Sequence, residues 1–466
     1  MADPKPALAA AFLILILLMP VSGKYRFSLS TKTKKQLKEF LKDHATDLAD
    51  LFPNVGSYND KSRPAVGEPG RSQAPATNAG KYIFSFDVGT PPQRVSGALD
   101  ITSQLVWMRC DCPDCAPGGT LFYPSNSSTM VKEACTTTGC QKLVSQSCGA
   151  ENPWCSYTYM NGNGNTTGYF AQDKFILDSS DDDPVKVVFG CSLFSEGDFA
   201  SVSGVIGLGR GPLSLVSQLR EGRFSYYLAP DDGTESFLNL GGDNDDDKSK
   251  STSSPRLSTP LLANKKAYPH FYYVGLTGLQ VDGKDLPIPT GTFDFDTDGS
   301  GGVILSITVP VTFLDKRAYT VLKKALATKI GLPTVDGSDL GLDLCYTNKS
   351  LAAAKIPAMA LVFDGGAVME LETWNYFYMD ADTGLECLTI LPSEAGGGSL
   401  LGNLIQAGTH MIYDVSGSKL LFESADKASA PVDSSEGSPR ICLSLVLVNF
   451  VWVLDLLVYM HALVNY

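Results

Sequence analysis

The chain has 466 residues, enough for two domains or one large two-lobed body with a core in each lobe. Its 44 Gly, 27 Pro, 22 Phe and 19 Tyr point to many short strands joined by tight turns rather than to a helical protein. A formal net charge of −13 excludes nucleic acid as the natural partner, because that affinity comes from Lys and Arg at phosphates; the acidic runs Asp181 to Asp183 and Asp243 to Asp247 read as solvated loops.

Lys5, the apolar run Ala7 to Met19 and the small residues up to Gly23 form a secretory signal peptide, residues 1–23. In residues 24–80 apolar side chains recur at helical spacing from Lys34 to Leu51, and Pro, Gly and Ser then take over. Two readings stay open there: a propeptide made of one amphipathic helix and a flexible connector, or an extension that is never removed. From Lys81 the pattern alternates as strands do, through Tyr82 to Val88, the turn Gly89-Thr90-Pro91-Pro92 and Val95 to Leu99. That strand runs into Leu99-Asp100-Ile101-Thr102-Ser103. The sheet resumes at Leu105-Val106-Trp107, a cysteine-rich segment follows, and the Gly/Asn stretch from Asn161 to Asn165 is the material of a hairpin tip. Strand-like Val187 to Gly190 and Gly204 to Gly209 lead to a short helix over Leu213 to Leu219.

The second half opens at Phe271-Tyr272-Tyr273-Val274 and reaches Leu305-Ser306-Ile307-Thr308-Val309, an echo of the first turn 206 residues on. Ala318 to Ile330 reads as a helix. Leu400 to Asn403 stands to the second turn as Val205 to Gly207 stands to the first. The halves are therefore diverged copies of one β unit, with lobes at 81–250 and 251–427 and a cleft between them. Residues 428–466 carry small residues at Ala428 to Ala430, a polar spacer and an apolar end, the grammar of a glycosylphosphatidylinositol signal. A spanning helix, in which Asp455 is costly, and an unprocessed tail are the alternatives.

Eleven cysteines in an oxidising compartment read as disulfides, and loss of the tail with Cys442 leaves ten, an even number. Cys110, Cys112 and Cys115 have no neighbouring His, so no metal is expected. Sequons at Asn126, Asn165 and Asn348 are glycosylation sites for a secreted chain.

Several ordered segments then converge: Gly89-Thr90-Pro91-Pro92-Gln93, Leu105-Val106-Trp107, Phe189-Gly190-Cys191, Gly207 to Leu215, Phe271 to Val274, Gly341 to Tyr346 and Asn375-Tyr376. Together they resemble the pepsin-like aspartic proteases, most closely the plant nepenthesin-like branch, from about Lys81 to Ala428. The resemblance implies a mostly β, bilobal pepsin-like aspartic protease fold, a monomer without cofactor, and a peptide or protein segment bound in the cleft. It also implies two carboxylates, one per lobe, that share a proton and activate a water against the peptide carbonyl.

Asp100 keeps the first of these positions, but Ile101 lacks the hydroxyl that links the two turns in the family, and Thr102 replaces a Gly. Ser306 stands where the second Asp is expected. Asp294, Asp296 and Asp298 precede the strand and would need a register change to substitute. The flap tyrosine is Tyr159 if Gly164 is an insertion, whereas counting from Cys155 gives Asn161. Tyr227 and Lys427 stand where the branch has cysteines, which leaves Cys345 with Cys387 as the bridge of the second lobe. The expectation is a secreted, extracellular or cell-wall protein, membrane-bound only through a lipid anchor, that binds peptide segments with impaired or absent proteolysis. An active endopeptidase relying on Asp100 is the alternative, and capture of another enzyme in the cleft is a third use that sequence does not separate from peptide binding. A serine-hydrolase reading of Ser306 fails, since His44, His270, His410 and His461 accompany no nucleophile elbow.

Overall fold

The computed structural model describes residues 25–29, 37, 82–112, 119–142, 146–149, 153–161, 164–177, 184–197, 202–231, 234–241, 257–266, 268–393 and 398–424. The signal peptide, the expected helix of residues 34–51 apart from Leu37, both acidic runs, Cys115 and the tail with its anchor signal lie outside the described residues.

The elements that frame the first half are β1 (Tyr25–Leu29), β2 (Ile83–Val88), β3 (Gln93–Asp100), β4 (Val106–Arg109), β5 (Ser156–Asn161), β6 (Gly164–Ile176), β7 (Val185–Gly197), β8 (Gly204–Gly207), α1 (Leu215–Leu219), β9 (Arg223–Tyr227) and β10 (Ser236–Leu240). The second half adds β11 (Leu257–Leu262), β12 (Tyr273–Val274), β13 (Val303–Leu305), β14 (Thr312–Asp315), α2 (Lys316–Ile330), β15 (Ile390–Ser393), β16 (Ser399–Leu401), α3 (Asn403–Gln406), β17 (Thr409–Asp414) and β18 (Lys419–Ser424). The fold is mostly strand and bilobal, as the pepsin-like pattern requires.

Two copies of one strand arrangement carry the two turns. In the first half β3 lies parallel to β8, β8 antiparallel to β4, and β4 parallel to β7. In the second, β13 lies parallel to β16, β16 antiparallel to β14, and β14 parallel to β15. Strands β4, β8, β13, β14 and β16 are buried along their whole length, and β3 over Gly97 to Asp100, where it reaches the turn. β2 alternates instead, with Phe84, Phe86 and Val88 facing the core.

The halves are joined by a sheet ordered β1-β10-β9-β17-β18-β11-β12-β13-β16-β14-β15, so strands from the end of the chain, β17 and β18, sit beside β9 from the first half. β1 is a finding that the sequence reading did not anticipate, since it placed only a helix and a connector in residues 24–80. Tyr25, Phe27 and Leu29 alternate with polar residues, and all three are buried against β10.

The two helices end for local reasons. Ser214 accepts from the Ser217 N–H as N-cap, so α1 begins at Leu215, two residues later than the apolar spacing predicts. Asp315 caps α2 by accepting from the Arg317 N–H, and Gly331 closes it at φ 66°. Four described disulfides brace the chain: Cys110–Cys191, Cys135–Cys148, Cys140–Cys155 and Cys345–Cys387. Cys112 is also disulfide-bonded. The sulfurs of Cys135, Cys140 and Cys148 lie within 4.8 Å of one another, but they belong to two bridges and offer no thiolate to a metal. Among the described residues no helix is long and apolar enough to cross a membrane.

Candidate active site

β3 delivers Asp100 at its C-terminal end, paired with Gly207 of β8. The chain then turns, and Thr102 folds back on the carboxylate: its N–H and its hydroxyl both donate to Oδ1, at 2.7 and 2.6 Å. The second turn repeats this arrangement around a hydroxyl. The Ser306 Oγ lies 3.2 Å from Thr308 Oγ1 and accepts from the N–H groups of Thr308 and Val309 at 3.3 and 3.4 Å. Both turns thus direct donors at the side chain that follows the strand, Asp100 in the first and Ser306 in the second, and only the first holds a carboxylate. Asp100 is 1% exposed and Ser306 is 0% exposed, with Thr102 and Thr308 buried beside them.

The backbone beneath each turn needs glycine. A Cβ on Gly207 would stand 2.6 Å from the carbonyl oxygens of Ser103 and Leu105, and one on Gly402 would stand 2.2 Å from that of Val311. The approach lets the Leu208 N–H reach the Asp100 carbonyl at 2.9 Å and the Asn403 N–H reach that of Val309 at 2.8 Å. α3 supplies two further ties. Gln406 Nε2 donates to the carbonyl of Ser306 at 2.9 Å, and Asn403 Nδ2 donates to that of Ile307 at 3.0 Å. Gln406 in turn accepts from the Tyr226 hydroxyl at 2.5 Å, and Tyr226 meets Tyr413 at 2.8 Å, which connects the turn to β9 and β17.

A different link joins the two turns. The Tyr272 hydroxyl donates to the Leu208 carbonyl at 2.8 Å, while the Tyr272 carbonyl accepts from the Leu305 N–H at 3.1 Å. Asp100, Leu208, Tyr272 and Leu305 therefore form one connected path from the first turn to the residue before Ser306. The Arg210 N–H adds a bond to the His270 carbonyl at 2.8 Å, and its guanidinium donates to the Leu262 carbonyl at 2.8 Å. Ile101 and Ile307, which stand where the family carries linking hydroxyls, are both fully buried in one apolar cluster with Leu99, Leu208 and Leu305.

Tyr159 lies on β5 opposite Thr166 of β6, and its hydroxyl accepts from Ser103 Oγ at 3.2 Å and from the Gln104 N–H at 3.4 Å. Asn161 pairs with Gly164 at the end of the same hairpin. Burial, with the negative charge of Asp100 adding to it, pushes the Tyr159 phenol up to about 12, although its bonds to Ser103 and Gln104 oppose the shift. It remains a neutral hydroxyl at any acidic or neutral pH. Burial also lowers His270 to about 4; its ring packs edge-on against Phe271. The hydrogen-bond partners of the Ser306 hydroxyl among the described residues are Thr308 and Val309, and no histidine base is among them.

The remaining sequence sites are dispersed. Asn126 ends an exposed 3-10 turn, Asn165 is held by Glu196 across β6 and β7, and Asn348 opens a one-turn helix with its amide 3.1 Å from the Met379 sulfur. Asp296 and Asp298 bond Ser300 within their own loop. Cys345 and Cys387 are directly opposed strand residues, which accounts for their bridge. Tyr272 and Gln406 were not singled out from the sequence. Tyr272 lay inside a recognisable segment, but its acceptor Leu208 is 64 residues away.

Comparison with known proteins agrees with this geometry. The family described as Xylanase inhibitor N-terminal matches residues 82–242, and Xylanase inhibitor C-terminal matches residues 271–424. Aspartic proteinase nepenthesin-2 of Nepenthes gracilis is 35% identical over 343 residues, covering 72% of this chain and 75% of that protein. Aspartyl protease 37 of Oryza sativa subsp. japonica is 33% identical over 376 residues, covering 74% and 80%. The crystal structure of edgp superposes with a TM-score of 0.61 at 19% identity, covering 76% of this chain and 94% of that one. Basic 7S globulin from soybean gives a TM-score of 0.61 at 17% identity, covering 89% and 99%. The chain therefore belongs to the plant nepenthesin-like branch of the pepsin-like aspartic protease family.

Proposed function

We propose that this protein works outside the cell, binds extended peptide segments in the cleft between its lobes, and hydrolyses them poorly or not at all. The observation that carries this reading is Ser306, a fully buried hydroxyl at the second dyad position whose bonds are to its own turn. Peptide hydrolysis in this family needs a base to take a proton from water and an acid to polarise the carbonyl in the same step. Asp100 can serve as one of these. A serine hydroxyl does not titrate at acidic or neutral pH, and the Tyr159 phenol, pushed up to about 12 by burial, is no acid–base partner in that range either.

The rest of the site supports the same reading. The hydroxyl of Thr102 donates to Asp100 Oδ1, and Ile101 and Ile307 are buried apolar side chains that offer no hydroxyl. Capture of a protein segment from another enzyme is a second use of the same cleft, favoured by the xylanase-inhibitor description of both matching families.

The test is to immobilise the full chain at acidic pH with a pool of random-sequence peptides and to identify what elutes by mass spectrometry. Retention of intact peptides is the expected result. Recovery of cleaved peptides overturns the non-hydrolytic part, and absence of retention overturns the binding part.

A further inference from the structure

We propose that the outer face of the sheet formed by β5, β6 and β7 is a carbohydrate seat, occupied by the first N-acetylglucosamine of a glycan on Asn165. The inference rests on the reading that the chain works outside the cell. Tyr157, Tyr159 and Thr166 point inward and are buried, whereas Thr158, Met160 and Thr167 point outward. Phe194 of β7 shares the outer face, because it stands directly opposite Thr167. Met160 is 70% exposed and Phe194 44%, an apolar surface that the fold itself leaves uncovered.

The strand register puts the sequon between these two side chains. Asn165 stands opposite Met160 on one side and Glu196 on the other. Thr167, the third residue of the sequon, lies in the next row of the same face, between Thr158 and Phe194. Asn165 and Phe194 are therefore diagonal neighbours, about 7–8 Å apart, a span that one pyranose ring bridges. The C–H face of such a ring carries positive hydrogens and lies flat on the negative face of an aromatic ring.

The amide that would carry the sugar is already oriented. Asn165 Oδ1 accepts from the Glu196 N–H at 3.2 Å, and Asn165 Nδ2 donates to Glu196 Oε2 at 3.3 Å. Transfer joins Nδ2 to the anomeric carbon of a sugar carried on a lipid diphosphate; the lipid diphosphate leaves and the nitrogen gives up one proton. The carbonyl is untouched, so the bond from the Glu196 N–H survives. The other sequons show a weaker form of the same pairing. Exposed Tyr123 is the N-cap of the turn that Asn126 ends, and the sulfur of exposed Met379 lies 3.1 Å from the Asn348 amide. Asn165 differs in having two apolar side chains that flank it on one strand face. The opposite face of the hairpin carries Tyr159, so a sugar seated outside braces the element that holds this hydroxyl at Ser103.

To test this, the full chain is expressed in cultured plant cells and recovered from the medium, and peptide mass spectrometry reads each sequon. Asn165 is expected to be occupied. Amide hydrogen exchange across β5 and β6 then compares wild type, wild type trimmed by an endoglycosidase to the first sugar, and Thr167→Val, which abolishes the sequon but keeps Asn165 and its bonds to Glu196. Trimming should leave exchange unchanged, and Thr167→Val should speed it about two- to tenfold. In a chain carrying Met160→Ala and Phe194→Ala, Thr167→Val should make no further difference. A secreted chain bare at Asn165 overturns the proposal and leaves the extracellular reading standing; self-association of that bare chain assigns the face to a second copy instead. A chain retained in the cell and bare at all three sequons overturns both. An occupied Asn165 whose loss acts equally with and without Met160 and Phe194 overturns the seat, as does exchange that changes on trimming.

Discussion

Ser306→Asp tests how the second turn would treat the missing carboxylate. The donors are in place, because the N–H groups of Thr308 and Val309 and the Thr308 hydroxyl already approach the Ser306 Oγ at 3.2 to 3.4 Å. The opposing terms are burial, at 0% exposure, and the like charge of Asp100 in the turn joined to this one through Leu208 and Tyr272. Burial and like charge both raise a carboxyl pKa above its unfolded value of about 3.9. The folded state then holds a proton that the unfolded state has lost. Stability relative to wild type therefore falls as pH rises above about 4, by about 1.4 kcal/mol per pH unit until the folded pKa is reached. A shift of about two units gives a loss of about 3 kcal/mol at pH 7. Urea unfolding of wild type and variant at pH 4 and pH 7 reads the difference, and any steric cost of the larger side chain cancels between the two pH values. An equal loss at both pH values, or a larger one at pH 4, refutes the reasoning.

Tyr272→Phe removes the hydroxyl that reaches the Leu208 carbonyl and leaves a buried acceptor unmet, so urea unfolding should show a loss of about 1–3 kcal/mol. Gly402→Ala places a Cβ against the Val311 carbonyl, a backbone atom that cannot swing aside, and should cost more than Gly149→Ala, where the added Cβ meets nothing within 4 Å; the same unfolding measurement compares them. His270 is held neutral by burial, with its pKa lowered from 6.5 to about 4. Its contribution is complete above pH 6.5 and is lost as pH falls from 6.5 to 4, amounting to about 3 kcal/mol across that window. His270→Phe should therefore flatten the acid limb of a stability profile over that range, and an unchanged limb contradicts the assignment.

The two turns were legible in the sequence because each follows an apolar strand and each has its own partner, Val205 to Gly207 or Leu400 to Asn403. Strand alternation likewise revealed β2, and the spacing of Leu322 and Leu326 revealed α2. The link through Tyr272 was not legible, since it depends on a hydroxyl meeting a carbonyl 64 residues away. Gln406 was hidden for the same reason: its amide reaches a carbonyl 100 residues back. β1 carries only a faint signal in the sequence. Tyr25, Phe27 and Leu29 have the period of two of a half-buried strand, but five residues beside a lysine-rich helical pattern carry little weight without the core they enter. Ile101 and Ile307 read as the loss of two hydroxyls. In the fold both are fully buried in the main apolar cluster.

The central claim concerns the chemistry left to Asp100 when its partner position holds a serine. The most direct measurement is hydrolysis of an unfolded protein substrate across acidic pH by the purified wild-type chain and by Asp100→Ala, beside an active aspartic proteinase of the same family. Wild type is expected to cleave at least about a hundredfold more slowly than the active relative, and Asp100→Ala no faster than wild type. Efficient cleavage by wild type that Asp100→Ala abolishes would contradict the claim.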